Sequence, residues 1–306
     1  MSREYQTRLE AFAKINLHLK IGEKKKGERL HPLLSLVAPL SLADEVELAV
    51  APAQKPEISL VTLGADLPSD ERNLAFRAAK RWMEKKNLPL SVSLRLKKRI
   101  PTGAGLGGGS SDAAAVLRGL QDFAADEALP AEQLLGLALE LGSDVPYFLR
   151  GGMALLSSFG ERVDVLGTAP PLPLILWLPD FRFLTAEAYA ALDEERETSH
   201  AQPAVLNETK LEDWARLVHE ADGWDSSFAN DFFSISCQKK PVLEELVREF
   251  QASGSFFSRM SGSGPSLFAL YQGESDRDTA LKRLRAYCSE GEFIALSLRP
   301  DVPFSL

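Results

Sequence analysis

The stretch best equipped for chemistry runs from Pro101 to Ala115 and reads Pro-Thr-Gly-Ala-Gly-Leu-Gly-Gly-Gly-Ser-Ser-Asp-Ala-Ala-Ala. Gly103, Gly105, Gly107, Gly108 and Gly109 lack a Cβ, so the backbone can turn tightly and come close to a ligand. Ser110, Ser111 and Asp112 are residue types that cap a helix start, and Ala113 to Leu120 is a helix-forming run. The unpaired N–H groups and positive dipole end of that helix then face whatever the loop surrounds. That is a site for phosphate.

Other readings of the glycines fare worse. A flexible linker is not bounded by a strand pattern on one side and an immediate helix on the other. Gly103, Gly105 and Gly108 match G-x-G-x-x-G, but a dinucleotide site needs an acidic residue about twenty positions on, at the end of a second strand. Here that region, Asp122 to Glu127, continues a helix and its exit loop. No Gly-Lys-Ser/Thr follows the glycines, which excludes a Walker A loop. The chain also lacks the His-Arg-Asp and Asp-Phe-Gly of protein kinases.

Three further places hold polar residues in apolar surroundings. Lys14 and Asn16 interrupt an apolar strand and, two apart, share one face of it; they are either a solvated face or part of a site. Asp144 sits on a connection before Pro146 and an apolar run, where an aspartate serves equally as a helix cap or as a catalytic carboxylate. Ser261-Gly262-Ser263-Gly264-Pro265-Ser266 is a second small-residue loop, a hairpin or linker on spacing alone.

The elements that must position these residues follow from periodicity. Leu9 to Ile21 and Leu33 to Val50 read as strands, the second broken by a turn at Asp44-Glu45. Asn73 to Lys85 is an amphipathic helix with Trp82 on its core side. Leu90 to Ile100 is the strand that feeds the glycine loop, and Pro130 to Leu141 is a helix stopped by Gly142. Gly151-Gly152 forms a hinge before strands at Met153 to Ser158 and Leu172 to Leu178 and a helix at Leu184 to Asp193. Gln202 to Gly223 is helical in parts, and Pro241 to Ser253 is a clear amphipathic helix. A strand at Leu267 to Tyr271, a helix at Thr279 to Ala286 and a strand at Phe293 to Leu298 close an α+β sandwich.

Composition sets bounds on function. With 306 residues there is room for two domains and a substantial core. A net charge of −8 argues against a general nucleic-acid or membrane-surface binder, so an anionic ligand must be held by local groups. Cys237 and Cys288 are far apart and in no Cys-x-x-Cys, which suggests reduced core thiols in a cytoplasmic protein rather than a disulfide or zinc site. The short charge run Lys24-Lys25-Lys26 reads as a solvated turn.

Three segments together resemble the small-molecule kinases named for galactokinase, homoserine kinase, mevalonate kinase and phosphomevalonate kinase, the GHMP kinases. They are Ala-Lys-Ile-Asn-Leu at Ala13 to Leu17, Pro101 to Ser111, and Met260 to Pro265. Within that superfamily, Leu141 to Pro146, Asn230-Asp231-Phe232 and Asn73-Leu74 resemble the 4-diphosphocytidyl-2-C-methyl-D-erythritol kinases of non-mevalonate isoprenoid biosynthesis. The resemblance covers nearly the whole chain. It implies an α+β fold of two domains: 1–152, like the second domain of ribosomal protein S5 and binding ATP, and 153–306, a ferredoxin-like sandwich completing the substrate site.

The resemblance also implies roles. Lys14 and Asp144 would be catalytic. Asn73, Pro101, Thr102, Gly103, Ala104, Gly105, Leu106, Gly107, Gly108, Gly109, Ser110 and Ser111 would hold ATP. Asn16, His31, Asp144, Tyr189, Ser261, Gly262, Ser263 and Gly264 would contact the substrate, a cytidine-diphosphate-linked sugar alcohol. Mg²⁺ is expected with ATP, bound mainly through its phosphates, in a monomer or weak homodimer without nucleic-acid or membrane partners. Where the family has Gly-Tyr-His, this chain has Arg29-Leu30-His31, so the stacking aromatic is absent there and Tyr189, four residues after Thr185, supplies the other side. The alternatives are a kinase of the same fold for a homoserine- or mevalonate-like acid, and a nucleotide-binding regulator without chemistry. An acid would call for a carboxylate-binding basic residue, and a regulator would be expected to lose Lys14 or Asp144.

Overall fold

The computed structural model describes residues 4–24, 27, 30–199, 211–219, 224 and 228–299. Two long strands form its spine: β1 (Tyr5–Ile21) lies antiparallel to β2 (Leu33–Pro52), from Tyr5 opposite Val50 to Ile21 opposite Leu33. Alternation puts Ala13, Ile15 and Leu17 on one face and Lys14 and Asn16 on the other, yet all five are buried. A strand buried on both faces must be covered on both, and it is.

On its other edge β2 carries β4 (Leu90–Lys97) along its C-terminal half and β5 (Met153–Ser157) along its N-terminal half. β3 (Glu57–Leu63) joins β4 in parallel, and β6 (Arg162–Gly167) joins β5. Helices α1 (Leu74–Lys86), α2 (Gly108–Ala124), α3 (Ala131–Leu141) and α4 (Val145–Arg150) bury their apolar sides in one cluster with this sheet. Trp82 is fully buried there, and its indole N–H donates to Gln121 Oε1 at 2.9 Å. It is core, as its spacing suggests.

The second sheet has the order β10-β7-β9-β8, all antiparallel, from β7 (Pro173–Leu178), β8 (Phe257–Met260), β9 (Leu267–Leu270) and β10 (Glu292–Ser297). Between the strands come α5 (Thr185–Ser199), α6 (Leu211–His219), α7 (Phe233–Lys239), α8 (Val242–Ala252) and, before β10, α9 (Glu274–Tyr287). Taking α8 and α9 as its two crossover helices, the unit is the split β-α-β-β-α-β of a ferredoxin-like fold. Leu174, Leu176, Phe257 and Phe268 share a cluster with Ala13, Ile15 and Leu17, so the second unit covers the side of β1 that the helices leave open.

Three expectations change. Asp44-Glu45 is not a turn: β2 runs straight through it, because the Asp44 carboxylate is buried and engaged by Lys98 instead of its own backbone. The glycine-loop helix starts at Gly108, five residues before Ala113, so Ser110, Ser111 and Asp112 lie inside it rather than capping it. β3, β6 and β8 are additions that the sequence reading lacked. Cys237 and Cys288 are free and half-buried rather than in the core. Of the expected Gln202 to Gly223 helical stretch only 211–219 lies within the described residues, and of the Gly22 to Arg29 turn only Gly22, Glu23, Lys24 and Gly27. Among the described residues no helix is long and apolar enough to cross a membrane.

Candidate active site

The glycine loop is a cradle of free amides. Gly103, Gly105 and Gly107 have φ of +74°, +73° and +73°, a region closed to most side chains. Gly107 caps α2, and the Ser111 N–H donates to its carbonyl at 2.9 Å. Helix geometry then leaves the N–H groups of Gly107, Gly108, Gly109 and Ser110 without an intrahelical partner at the positive dipole end. A Cβ on Gly107 would stand 2.7 Å from the Phe148 ring and 3.3 Å from Lys14 Cε, so the loop and Lys14 are packed together.

The loop is fastened from outside. Leu106 O accepts from the Lys14 N–H at 3.0 Å, and Ala104 O from the Ser266 hydroxyl at 2.7 Å. Pro101 to Ser110 line a cleft of about 320 Å³ whose far rim is Leu67, Pro68, Arg72, Asn73 and Leu74. Asn73 builds that rim as the cap of α1: its Oδ1 accepts from the Ala75 N–H and its amide donates to Pro68 O, both at 3.0 Å.

Lys14 and Asp144 meet at the mouth of the loop, with Lys14 Nζ 4.0 Å from Asp144 Oδ2. Asp144 stands at the N-cap of α4 but makes no capping hydrogen bond with its side chain, so its carboxylate, 39% exposed, is spare. Lys14 is buried, and burial pushes its ammonium pKa down while Asp144 pulls it up. Its Nζ donates to Asn16 Oδ1 at 2.6 Å. Asn16 passes the constraint on, donating to Ser35 Oγ at 2.7 Å, which donates to His18 O at 2.8 Å. An ammonium has three protons; with one on Asn16 and one toward Asp144, one remains for an incoming anion.

The second small-residue loop closes against the first. The Asn16 N–H donates to Ser261 Oγ at 3.2 Å, and that hydroxyl leans on Gly105 O at 3.4 Å. A Cβ on Gly262 would lie 3.4 Å from Asn16 Oδ1 and 3.7 Å from Lys14 Nζ. Ser263 Oγ pairs with Thr185 Oγ1 at 3.0 Å, and Gly264 turns back with its N–H on Ser261 O at 3.0 Å. The loop is therefore a wall of the site, not a linker.

His31 and Tyr189 come together on the side of the second unit, ring centroids 5.2 Å apart, with Phe232 set edge-on to Tyr189 at 4.9 Å. Both ring nitrogens of His31 face acceptors, Gly22 O and Asp193 Oδ2, each at 3.3 Å. Burial first, then the Asp144 charge, push the Tyr189 hydroxyl up to about 12. Leu30 is 59% exposed; Arg29 lies outside the described residues.

Sequence reading assigned no role to three groups that hold the site. Asn230 donates to Met260 O at 2.7 Å and Gly262 O at 2.9 Å, clamping the second loop. Asp231 accepts from the Ile21 N–H at 2.8 Å and pairs with Arg196 at 3.2 Å, tying α5 to the end of β1. Beneath the glycine loop, Lys98 is buried between Asp44 and, at 2.5 Å, Asp112. Burial, against the pull of Lys98, drives Asp112 up to about 7, while the two carboxylates overcome burial to raise Lys98. The Asn-Asp pair was a usable signal; the lysine and its two aspartates gave none.

Comparison with known proteins bears on the same segments. The profile described as GHMP kinases N terminal domain matches residues 73–152, and that described as GHMP kinases C terminal matches 224–290. A 4-diphosphocytidyl-2-C-methyl-D-erythritol kinase of Exiguobacterium sibiricum is 34% identical over 282 residues, 92% of this chain and 95% of its own length. A crystal structure of 4-(cytidine 5'-diphospho)-2C-methyl-D-erythritol kinase superposes with a TM-score of 0.76 at 34% identity, covering 96% of this chain and 100% of that one. Homoserine kinase from Cytophaga hutchinsonii shares the fold at a TM-score of 0.72 but only 18% identity, over 99% of this chain and 98% of its own.

Proposed function

The chain belongs to the 4-diphosphocytidyl-2-C-methyl-D-erythritol kinases, a family of GHMP kinases, and on that premise we propose how its residues divide the work. The protein is an ATP-dependent phosphotransferase that phosphorylates a hydroxyl of 4-diphosphocytidyl-2-C-methyl-D-erythritol. The free amides of Gly107 to Ser110 hold the terminal phosphates of ATP, with Asn73 and the Pro101 to Leu106 backbone shaping the nucleotide cleft. Asp144 orients the acceptor hydroxyl and takes up its proton, and the free Lys14 proton meets the transferred phosphoryl. Asn16 fixes Lys14, Ser261 to Gly264 wall the acceptor in, and His31 and Tyr189 receive the cytosine.

The observation that carries this reading is the Asp144 carboxylate, spent on no capping bond and 4.0 Å from Lys14 at the loop's mouth. Phosphoryl transfer asks mainly for position and charge compensation, and this pair supplies both. Among the described residues no group of three or more His, Cys, Asp or Glu stands together to hold a metal. Mg²⁺ brought in with ATP would be held mainly through phosphate oxygens and water and would offset charge on the phosphates. We divide the chain at 1–152 and 153–306, with the β5–β6 hairpin of the second segment paired back onto β2.

The direct test offers ATP with the cytidine-linked sugar alcohol, homoserine or mevalonate to the purified protein and follows ADP release. Turnover with the first alone is expected. Preference for either acid would overturn the choice of acceptor while leaving the kinase chemistry intact.

A further inference from the structure

The cations at the glycine loop are nearly all spoken for. Arg72 is held by Asp70 in a two-armed contact, Nε to Oδ1 at 2.9 Å and Nη2 to Oδ2 at 2.8 Å. Lys98 is shared by Asp44 and Asp112, and Lys14 faces Asp144. In a chain of net charge −8, each of these lysines and arginines is offset by a carboxylate before a triphosphate arrives. The amide cradle brings only partial charges.

Arg99 and Arg182 have no such partner, and it is Arg182 that lies against a loop glycine. Arg182 belongs to the segment between β7 and α5. A Cβ on Gly103 would meet its Cδ at 3.5 Å and its Nε and Nη1 at 3.9 Å, so the side chain lies along the tip of the loop. Among the described residues it has neither a hydrogen bond nor an ion pair, and it is exposed. The segment around it is fixed: Phe181 packs on Trp177 at 6.3 Å and on Phe183 at 5.6 Å, and Thr185 is bonded to Ser263. A pinned backbone thus presents an uncompensated guanidinium to the loop that holds phosphate. A guanidinium is suited to two phosphate oxygens at once.

We propose that Arg182 is a nucleotide-binding residue, its guanidinium reaching over Gly103 to the ATP phosphates from the second unit. The proposal rests on the reading that the glycine loop holds those phosphates. It makes the second unit a participant in nucleotide binding as well as in substrate binding.

The test is calorimetry with ATP and with adenosine on the full chain, comparing wild type with Arg182→Ala, Arg182→Lys and Gly107→Ala. Arg182→Ala is expected to weaken ATP about 10- to 100-fold, the range for a hydrogen bond to a charged group, and to leave adenosine unchanged. Arg182→Lys should fall between, keeping charge but losing the fork. ATP affinity within twofold of wild type in Arg182→Ala, with Gly107→Ala impaired, overturns the role of Arg182 alone. An equal loss for adenosine overturns it too, as a structural effect. Full ATP affinity in Gly107→Ala overturns the reading of the loop, and Arg182 falls with it.

Discussion

The molecule uses lysine with aspartate twice within reach of one loop, to opposite ends. Beneath the loop, Lys98 is 4% exposed and in direct contact with Asp44 and Asp112, themselves 0% and 3% exposed; Asp44 also takes the N–H groups of Arg99 and Ile100. At the mouth, Lys14 and Asp144 stand 4.0 Å apart, and Asp144 has unused acceptor capacity and 39% exposure. The buried cluster directs its contacts inward, with Asp112 Oδ1 left as a buried oxygen without a partner, and so locks the strand end that feeds the loop. The mouth pair keeps capacity in reserve, which a reacting group can use. Residue type does not distinguish structure from chemistry here; access to an incoming group does.

That contrast breaks most readily at Lys14. Lys14→Ala should lower kcat about 10²- to 10⁴-fold, as loss of a positioned proton-transfer or charge-stabilising group does, with ATP affinity nearly kept. Steady-state kinetics beside nucleotide titration would show it. The buried lysine should behave oppositely. Lys98→Met leaves two buried carboxylates unpaired and should cost about 3–5 kcal/mol of stability in urea unfolding. A Lys98 variant of normal stability but without turnover would erase the distinction.

A third arrangement sharpens it: a buried ionisable group with no opposite charge. His18 accepts the Ala229 N–H on Nδ1 at 3.1 Å, so that nitrogen carries no proton. Burial first, then Lys20 and Arg259, push it down to about 4 from an ordinary 6.5. Below pH 6.5 the unfolded chain binds a proton that the folded chain refuses, so stability should fall as pH drops from 6.5 toward 4, by about 3 kcal/mol in all. His18→Gln should flatten that slope in denaturant titrations at successive pH values. The smallest effect belongs to the loop backbone. Gly107→Ala forces a Cβ at φ +73° toward the Phe148 ring and should cost about 1–3 kcal/mol.

Much of the site was legible in the chain because its demands are local. A loop that must bare its amides needs glycine, and Gly103, Gly105 and Gly107 occupy the positive-φ positions. Lys14 and Asn16 share a strand face by simple alternation, which is why their 2.6 Å contact follows from spacing. The resemblance placed Asp144 opposite them. What stayed hidden depends on distant partners. Asp44-Glu45 has turn chemistry, yet Asp44 is bonded to Lys98, 54 residues away, and the strand continues. Ser110, Ser111 and Asp112 have cap chemistry, yet the helix starts before them, at Gly108, from the left-handed turn of Gly107. Arg182 belongs to no motif; only the fold brings it to Gly103.

The most direct measurement is single-turnover transfer by Asp144→Asn at saturating ATP, with ATP affinity taken from the same sample. The carboxamide keeps the shape at the mouth and removes the acceptor of the proton. Transfer at least about 100-fold slower with ATP affinity unchanged is the expected result. Near-normal transfer with that affinity intact would contradict the role given to Asp144 and, with it, the contrast between the two lysine–aspartate sites.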